Sequence, residues 1–318
     1  MSFAWIVENG TPRAATLAEA DAAYGTADFI WAHLDIRNAG DMAWLAGETD
    51  LPDVARAALV AQETRPRCDP MDSGALVNLR GLGATPGDDP DPLVSIRIWA
   101  ERGWVTSVCL RTPQALEPLQ AAMAAGKILD PGDLISTLAI LITEALNPDV
   151  AALGDLLDDC EVQLDAKNVY QLRRRIARAR VQAISYRRFV APQRQALERL
   201  AGINADWMDE NDRLHLREAA DRCARMAEEL EAVRERAGLM HEELTDLRSE
   251  QMDKRALMIS IVAFIFLPLT FLTGLLGMNV DGIPFAHESW AFWGVVIICV
   301  ILSALIAFWF VARHWISR

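Results

Sequence analysis

Two uncharged stretches, Ala256 to Val280 and Ser289 to Ala312, lie near the end of this chain with only Asp281 to Glu288 between them. They are 25 and 24 residues long. As helices rising about 1.5 Å per residue they reach roughly 36 to 38 Å each, enough to cross a bilayer core. Gly277-Met278-Asn279 closes the first stretch, and the loop that follows is acidic. The last 63 residues carry only Asp281, Glu288, Arg313 and Arg318, which cancel, so the whole net charge of −13 belongs to residues 1–255. Such a surface repels nucleic acid and attracts cations, which argues against a nucleic-acid partner.

Met1 to Gly10 has no basic segment, and its apolar run, Phe3 to Val7, is too short for a signal-peptide core. Lys254 and Arg255 precede the first stretch and Arg313 and Arg318 follow the second, while the loop has neither Lys nor Arg. The positive-inside rule therefore places both termini in the cytoplasm and the loop outside. The five cysteines, Cys68, Cys109, Cys160, Cys223 and Cys299, form no CxxC pair and read as reduced thiols.

The expected fold class is an α+β membrane protein. Residues 1–130 form a cytoplasmic α/β domain, with strands at Phe3 to Val7, Asp28 to Ile36, Ala75 to Arg80, Leu93 to Ala100 and Trp104 to Arg111. Helices are expected at Leu51 to Thr64 and Pro113 to Ala125, and Gly81 to Pro92 reads as a loop. Residues 131–255 form a helical stalk, with helices at Asp133 to Asn147, Val150 to Leu164 and Asn168 to Leu200, then a long helix from about residue 206. Transmembrane helix 1 is expected at 256–280, the outer loop at 281–288, transmembrane helix 2 at 289–312 and a cytoplasmic tail at 313–318.

Along the long helix Leu216, Ala219, Cys223, Met226, Leu230, Val233, Ala237, Met240, Leu244 and Leu247 alternate at spacings of three and four, a heptad seam. Two readings fit: packing on the chain's own preceding helices, or a self-associating stalk. From Asp212 to Val280 the helix would extend roughly 100 Å. The seam does not continue into the membrane, where another row carries the small and polar residues.

That row is Ala256, Ser260, Ala263, Leu267, Thr270, Gly274 and Gly277, on one helical face. It reads as a helix–helix contact or as a pore wall, and both hold if identical helices surround an axis. Pro268 frees the carbonyl of Phe264, and Asn279 has a plain role as a helix terminator. Two spans cannot enclose a path alone, so transport requires a ring of copies.

The long helix entering the first of two terminal spans, with Phe266-Leu267-Pro268-Leu269-Thr270 and then Gly277-Met278-Asn279, resembles the CorA family of divalent-metal transporters. Arg65-Pro66-Arg67-Cys68, Asn78-Leu79-Arg80-Gly81, Ala191-Pro192-Gln193-Arg194 and Gly282-Ile283-Pro284 are similar to its ZntB zinc-transporter branch. The resemblance implies a homopentameric funnel in the cytoplasmic (inner) membrane, with Gly277, Met278 and Asn279 at the outer mouth and an asparagine ring there. It implies Zn2+ as cargo, with Mg2+, Co2+ or Ni2+ as the alternative of a CorA-type channel. The partners are then other copies of the chain, divalent ions and membrane lipid.

Neither span contains a carboxylate, and the first has no His or Cys, so the ion is expected to cross largely hydrated, its water shell bonded to the Asn279 amide oxygen. Proton coupling stays open, with no Asp or Glu in either span to relay a proton. Asp281, His287 and Glu288 can draw cations to the mouth, or serve simply as interfacial loop residues. On the cytoplasmic side Asp155, Asp158, Asp159, Glu161 and Asp165 form either a solvated acidic face or a cation sensor. No nucleotide fingerprint, nucleophile or cofactor site is apparent, so an enzyme is not expected. The competing reading from another class is a membrane-anchored coiled-coil structural or signalling protein.

Overall fold

The computed structural model describes residues 2–47, 51–61, 65–85, 92–163, 169–278, 282–285 and 288–316. The chain divides into two compact units, residues 1–164 with 170–241 and residues 165–169 with 242–318.

The first unit is built on a seven-stranded sheet. Its strands are β1 (Phe3–Glu8), β2 (Thr11–Ala15), β3 (Phe29–Asp35), β4 (Arg67–Pro70), β5 (Gly74–Leu82), β6 (Leu93–Glu101) and β7 (Trp104–Cys109), in the order β2-β1-β3-β7-β6-β5-β4. Among the described strands only β3 and β7 pair in parallel. The β1–β2 hairpin closes on Asn9 and Gly10, both at positive φ (50° and 71°), the backbone a two-residue hairpin turn demands. Gly103, at φ 75°, turns the chain from β6 into β7, as the run Glu101-Arg102-Gly103 predicts.

Four short helices, α1 (Leu17–Ala23), α2 (Ala39–Gly47), α3 (Asp53–Leu59) and α4 (Leu116–Ala124), connect or cover the strands. Leu34, Leu76, Trp99 and Val108 on the sheet bury against Leu45 of α2 and Ala55 and Leu59 of α3. A second cluster joins Ala4, Ile6, Ile30 and Ala32 to Ala20 and Ala23 of α1. Cys68, Cys109, Cys160 and Cys223 are buried and free, and Cys299 is free and half-buried. Burial pushes the Cys68 and Cys223 thiols up to about 12 and Cys109 to about 11.

The expected helices at Asp133 to Asn147 and Val150 to Leu164 are one helix, α5 (Pro131–Val162), which passes through Pro148. An internal proline costs about 3 kcal/mol, but the buried stripe Ile142, Leu146, Val150, Leu153 and Leu157 runs across it without a break, and packing prevails. Asp130 caps the N-terminus, its carboxylate accepting from the Asp133 amide at 2.8 Å. Helix α6 (Val169–Ala201) follows, and α7 (Glu210–Leu276) starts at Glu210 rather than near 206.

The heptad seam is satisfied within the chain. Its residues from Leu216 to Met240 are 0–5 % exposed in the single subunit. Ion pairs flank it: Arg222 to Glu144 (2.7 Å) and Arg236 to Asp158 and Glu161 (2.6 and 2.9 Å) tie α7 to α5, and Arg187 to Glu231 (3.0 Å) ties it to α6. Exposed pairs of this kind contribute little stability and mainly fix register. Of the two readings of the seam, packing on the chain's own helices is the one the structure adopts.

Where α7 begins, Asp209 and Asp212 cap reciprocally. The Asp212 amide donates to Asp209 (2.8 Å), and the Asp209 amide donates to Asp212 (3.1 Å). The Asp212 carboxylate is 1 % exposed and also accepts from the Ser136 hydroxyl at 3.1 Å. A Cβ at Gly132 would stand 2.0 Å from it, so only glycine fits there. Burial, then the neighbouring Asp130 and Asp209, raise its pKa from 3.8 to about 6. A carboxyl with a raised folded pKa stabilises the fold fully below its unfolded value and loses that contribution as pH climbs through the folded one. Asp212→Asn therefore gains on the native protein as pH rises from about 4 to 7.5, by up to about 3 kcal/mol, against a fixed cost because its amide has one acceptor oxygen for the two donors, the Asp209 amide and the Ser136 hydroxyl. Thermal unfolding of both proteins against pH tests this, and a pH-independent difference would refute it.

Candidate functional site

The second unit contains the C-terminal part of α7 and helix α8 (Ala291–Ile316). Among the described residues three helices, α5, α7 and α8, are long and apolar enough to cross a membrane. The most apolar stretch of α5 is half buried inside the fold, whereas those of α7 and α8 are not buried at all.

On α7, Ile261, Ile265, Pro268, Leu269, Leu272 and Leu276 are half-buried, as are Cys299, Leu302, Ser303, Ile306 and Phe310 on α8. The Phe264 and Phe310 rings meet at 5.7 Å between centroids. Ala256, Ser260, Ala263, Leu267, Thr270, Gly274 and Gly277 are all exposed. At 3.6 residues per turn, this row is centred about 180° around the helix from the half-buried one. The small-residue face is thus bare within the chain. A Cβ at Gly274 would meet nothing within 4 Å. Ala263, Phe266, Leu267, Thr270 and Phe271 border a shallow groove of about 380 Å³.

The hydroxyls on and beside the bare face turn back on their own helix. Ser260 donates to the Ala256 carbonyl (2.9 Å), Thr270 to Phe266 (2.7 Å) and Thr273 to Leu269 (2.9 Å). With the proton engaged, each oxygen presents lone pairs outward, an arrangement suited to accepting from the water shell of a cation. Helix α7 passes through Pro268 and ends at Leu276; the Gly277 amide donates to the Thr273 carbonyl at 2.9 Å, and Met278 is half exposed. Asn279, Asp281 and His287 lie outside the described residues, as does Asp165, and Glu288 is exposed.

The acidic cluster is divided. Arg236 engages Asp158 and Glu161, while Asp155 and Asp159 are solvent-exposed. Among the described residues no group of three His, Cys, Asp or Glu side chains comes close enough to hold a metal ion. The three cytoplasmic tetrapeptides do meet. The Asn78 side-chain amide donates to the Arg65 carbonyl (2.9 Å), and the Arg80 backbone amide donates to the buried Gln193 side chain (2.7 Å). The Arg80 guanidinium also lies 3.7 Å from the Phe189 ring centroid. Sequence reading separated these segments, since nothing local couples positions 65, 78 and 193.

Comparison with known proteins matches residues 26–314 to the family model described as CorA-like Mg2+ transporter protein. The zinc transport protein ZntB of Pectobacterium carotovorum is 31 % identical over 287 residues, 90 % of this chain and 88 % of that protein. ZntB of Yersinia enterocolitica is 30 % identical over the same shares. The solved structure of full-length CmaX is similar at a TM-score of 0.78 and 29 % identity, covering 98 % of this chain and 97 % of that one. The CorA magnesium transporter of Methanocaldococcus jannaschii shares the fold at a TM-score of 0.79 and 16 % identity, over 97 % and 96 % of the two chains.

Proposed function

Because the chain belongs to the family of CorA-like Mg2+ transporter proteins, we propose that it carries divalent cations, zinc foremost, through a homopentameric pore in the cytoplasmic membrane. The carrying observation is the bare small-residue face of α7, opposite the face that packs on α8. An exposed row that is Ala, Ser, Thr and Gly at every position but Leu267 gains little from lipid but allows close approach of identical helices about an axis. The same row then forms the wall of the path they enclose. Two spans per chain, at α7 and α8, leave both termini cytoplasmic by the placement of Lys254, Arg255, Arg313 and Arg318.

The wall holds neutral oxygens only, so the cargo crosses with most of its water shell, which Thr270 and Asn279 accept from. An inside-negative potential favours inward movement by about 2.3 kcal/mol per charge for each 100 mV. A coiled-coil anchor is less well supported, since the seam it would use is occupied within the chain.

Flux into liposomes containing the purified protein tests the reading, comparing Zn2+, Mg2+, Co2+ and Ni2+ with and without a pH gradient. Zn2+ should exceed Mg2+ by at least about tenfold, the ratio that a barrier difference of about 1.4 kcal/mol gives. Flux of none of the four ions would refute transport. Flux of Mg2+ without Zn2+ would move the protein to the magnesium-type alternative. A rate that follows the pH gradient would establish proton coupling.

A further inference from the structure

Helix α6 turns a basic and apolar row outward. Arg174, Ala177, Val181, Ile184 and Arg188 recur at three- and four-residue spacing, within about 40° of one line along the helix. All five are exposed, Val181 at 67 % and Ile184 at 48 %. Among the described residues no carboxylate pairs with Arg174 or Arg188, although Arg187 on the same helix is held by Glu231 at 3.0 Å. Helix α5 turns out a row of the opposite sign, Pro148, Ala151, Asp155 and Asp159. Asp155 and Asp159 are exposed and take part in no ion pair among the described residues, whereas Asp158 is engaged by Arg236.

The two rows belong to one compact unit and point away from each other. The Tyr186 hydroxyl donates to the Asp149 carboxylate at 3.1 Å, which joins α6 to α5. Each of these contact residues lies more than about 110° around its helix from the exposed row. A basic flank cannot match itself across a two-fold axis, and neither can an acidic one, because like charges would then face each other. The pair fits a head-to-tail contact, in which the basic flank of one copy meets the acidic flank of the next.

We propose that the α6 row of each copy docks on the α5 row of its neighbour, Arg174 and Arg188 meeting Asp155 and Asp159 around Val181 and Ile184 packed on Pro148 and Ala151. This contact rests on the reading of the protein as a ring of copies, and it gives that ring an interface separate from the bare face of α7. Every copy uses both flanks, so a closed ring leaves none uncovered. Helix α7 supplies a common scale for the register: Glu144 is level with Arg222 and Asp158 with Arg236, while Arg187 is level with Glu231. On that scale Asp155 stands level with Ile184 and Ser185, and copies related about an axis along α7 bring those positions together.

The test is oxidative cross-linking of the full chain in detergent, with light scattering of the same preparation and the native protein as the background for its own cysteines. A chain carrying both Asp155→Cys and Ile184→Cys should give a ladder of disulfide-linked copies that ends at the size of the ring, and either substitution alone should give none. Adding Arg174→Glu and Arg188→Glu should lower the yield at least about fivefold, the loss expected when two exposed attractions become repulsions. Adding Asp159→Lys to that variant should recover part of it. An oligomer by light scattering with no ladder from the paired cysteines would overturn this contact and leave the ring standing; a monomer would overturn both. Dimers from Ile184→Cys alone would mean that α6 meets α6, and a yield indifferent to charge reversal would mean that the charges do not select the contact. Suppression of the ladder by anionic lipid at constant ionic strength would assign the α6 row to lipid headgroups. Each of these three results would also overturn the proposal.

Discussion

Asn279→Ala should abolish the proposed metal uptake, lowering flux by at least about a hundredfold, while the oligomeric state and thermal unfolding of the purified protein stay unchanged. The size follows from what the amide does in the proposed ring. A hydrogen bond to a charged group contributes about 1.5–3 kcal/mol, and each tenfold in rate corresponds to about 1.4 kcal/mol. Removing acceptors for two waters of the hydrated ion is therefore enough for a hundredfold loss. Both spans lack carboxylate, so no neighbouring group takes over the water shell at that depth. Alanine adds no bulk and no charge, and assembly is expected to survive. The measurement is zinc uptake into liposomes beside size-exclusion of the same preparation. Uptake at the native rate would remove Asn279 from the mechanism.

Gly274→Leu carries the second large effect, a loss of flux of about tenfold or more. Nothing in the subunit lies within 4 Å of a Cβ at this position, so the chain itself accommodates the side chain without strain. Leucine also improves intrinsic helix propensity by close to 1 kcal/mol relative to glycine. Any damage must then come from what the bare face meets in the assembly: a narrowed path, or axial neighbours pushed apart. Size-exclusion separates these, since a narrowed path keeps the oligomer and a spoiled contact loses it. Unchanged flux would mean that the row faces lipid, and the pore assignment would fall.

The parts of this fold that sequence reveals are those with strong two-sided burial. β1, β3, β5, β6 and β7 all show as apolar or alternating runs because each has neighbours on both edges. β2 and β4, absent from the sequence reading, are the two edge strands. An edge strand shows no buried pattern and tolerates proline, which both contain, at Pro12 and Pro70. Helix α1, outside the expected helices, carries its own start signal. Thr16 and Glu19 form a capping box, Thr16 Oγ1 accepting from the Glu19 amide (3.3 Å) and the Glu19 carboxylate from the Thr16 amide (2.7 Å). The expected break between Asn147 and Val150 falls at Pro148, and the buried stripe of α5 crosses it without interruption.

For the site, residue spacing alone finds the small row on α7. What spacing does not reveal is which side α8 covers, and that is a tertiary fact. Arg97 reads in sequence as an ordinary polar strand residue between Ile96 and Ile98. Only the register shows that Asn78 and Arg67 stand in one row with it.

The buried thiols bear on what it means to handle a thiophilic ion. Zinc binds thiolate, and an exposed cysteine of ordinary acidity would compete for the ion being delivered. With pKa values of about 12, 11 and 12, Cys68, Cys109 and Cys223 are thiolate in only about one molecule in 10,000 or fewer at neutral pH, and none is reachable from solvent. These three thiols can stand in a stream of the proposed cargo without becoming a sink for it, a form of chemical inertness that a zinc carrier needs as much as it needs a path.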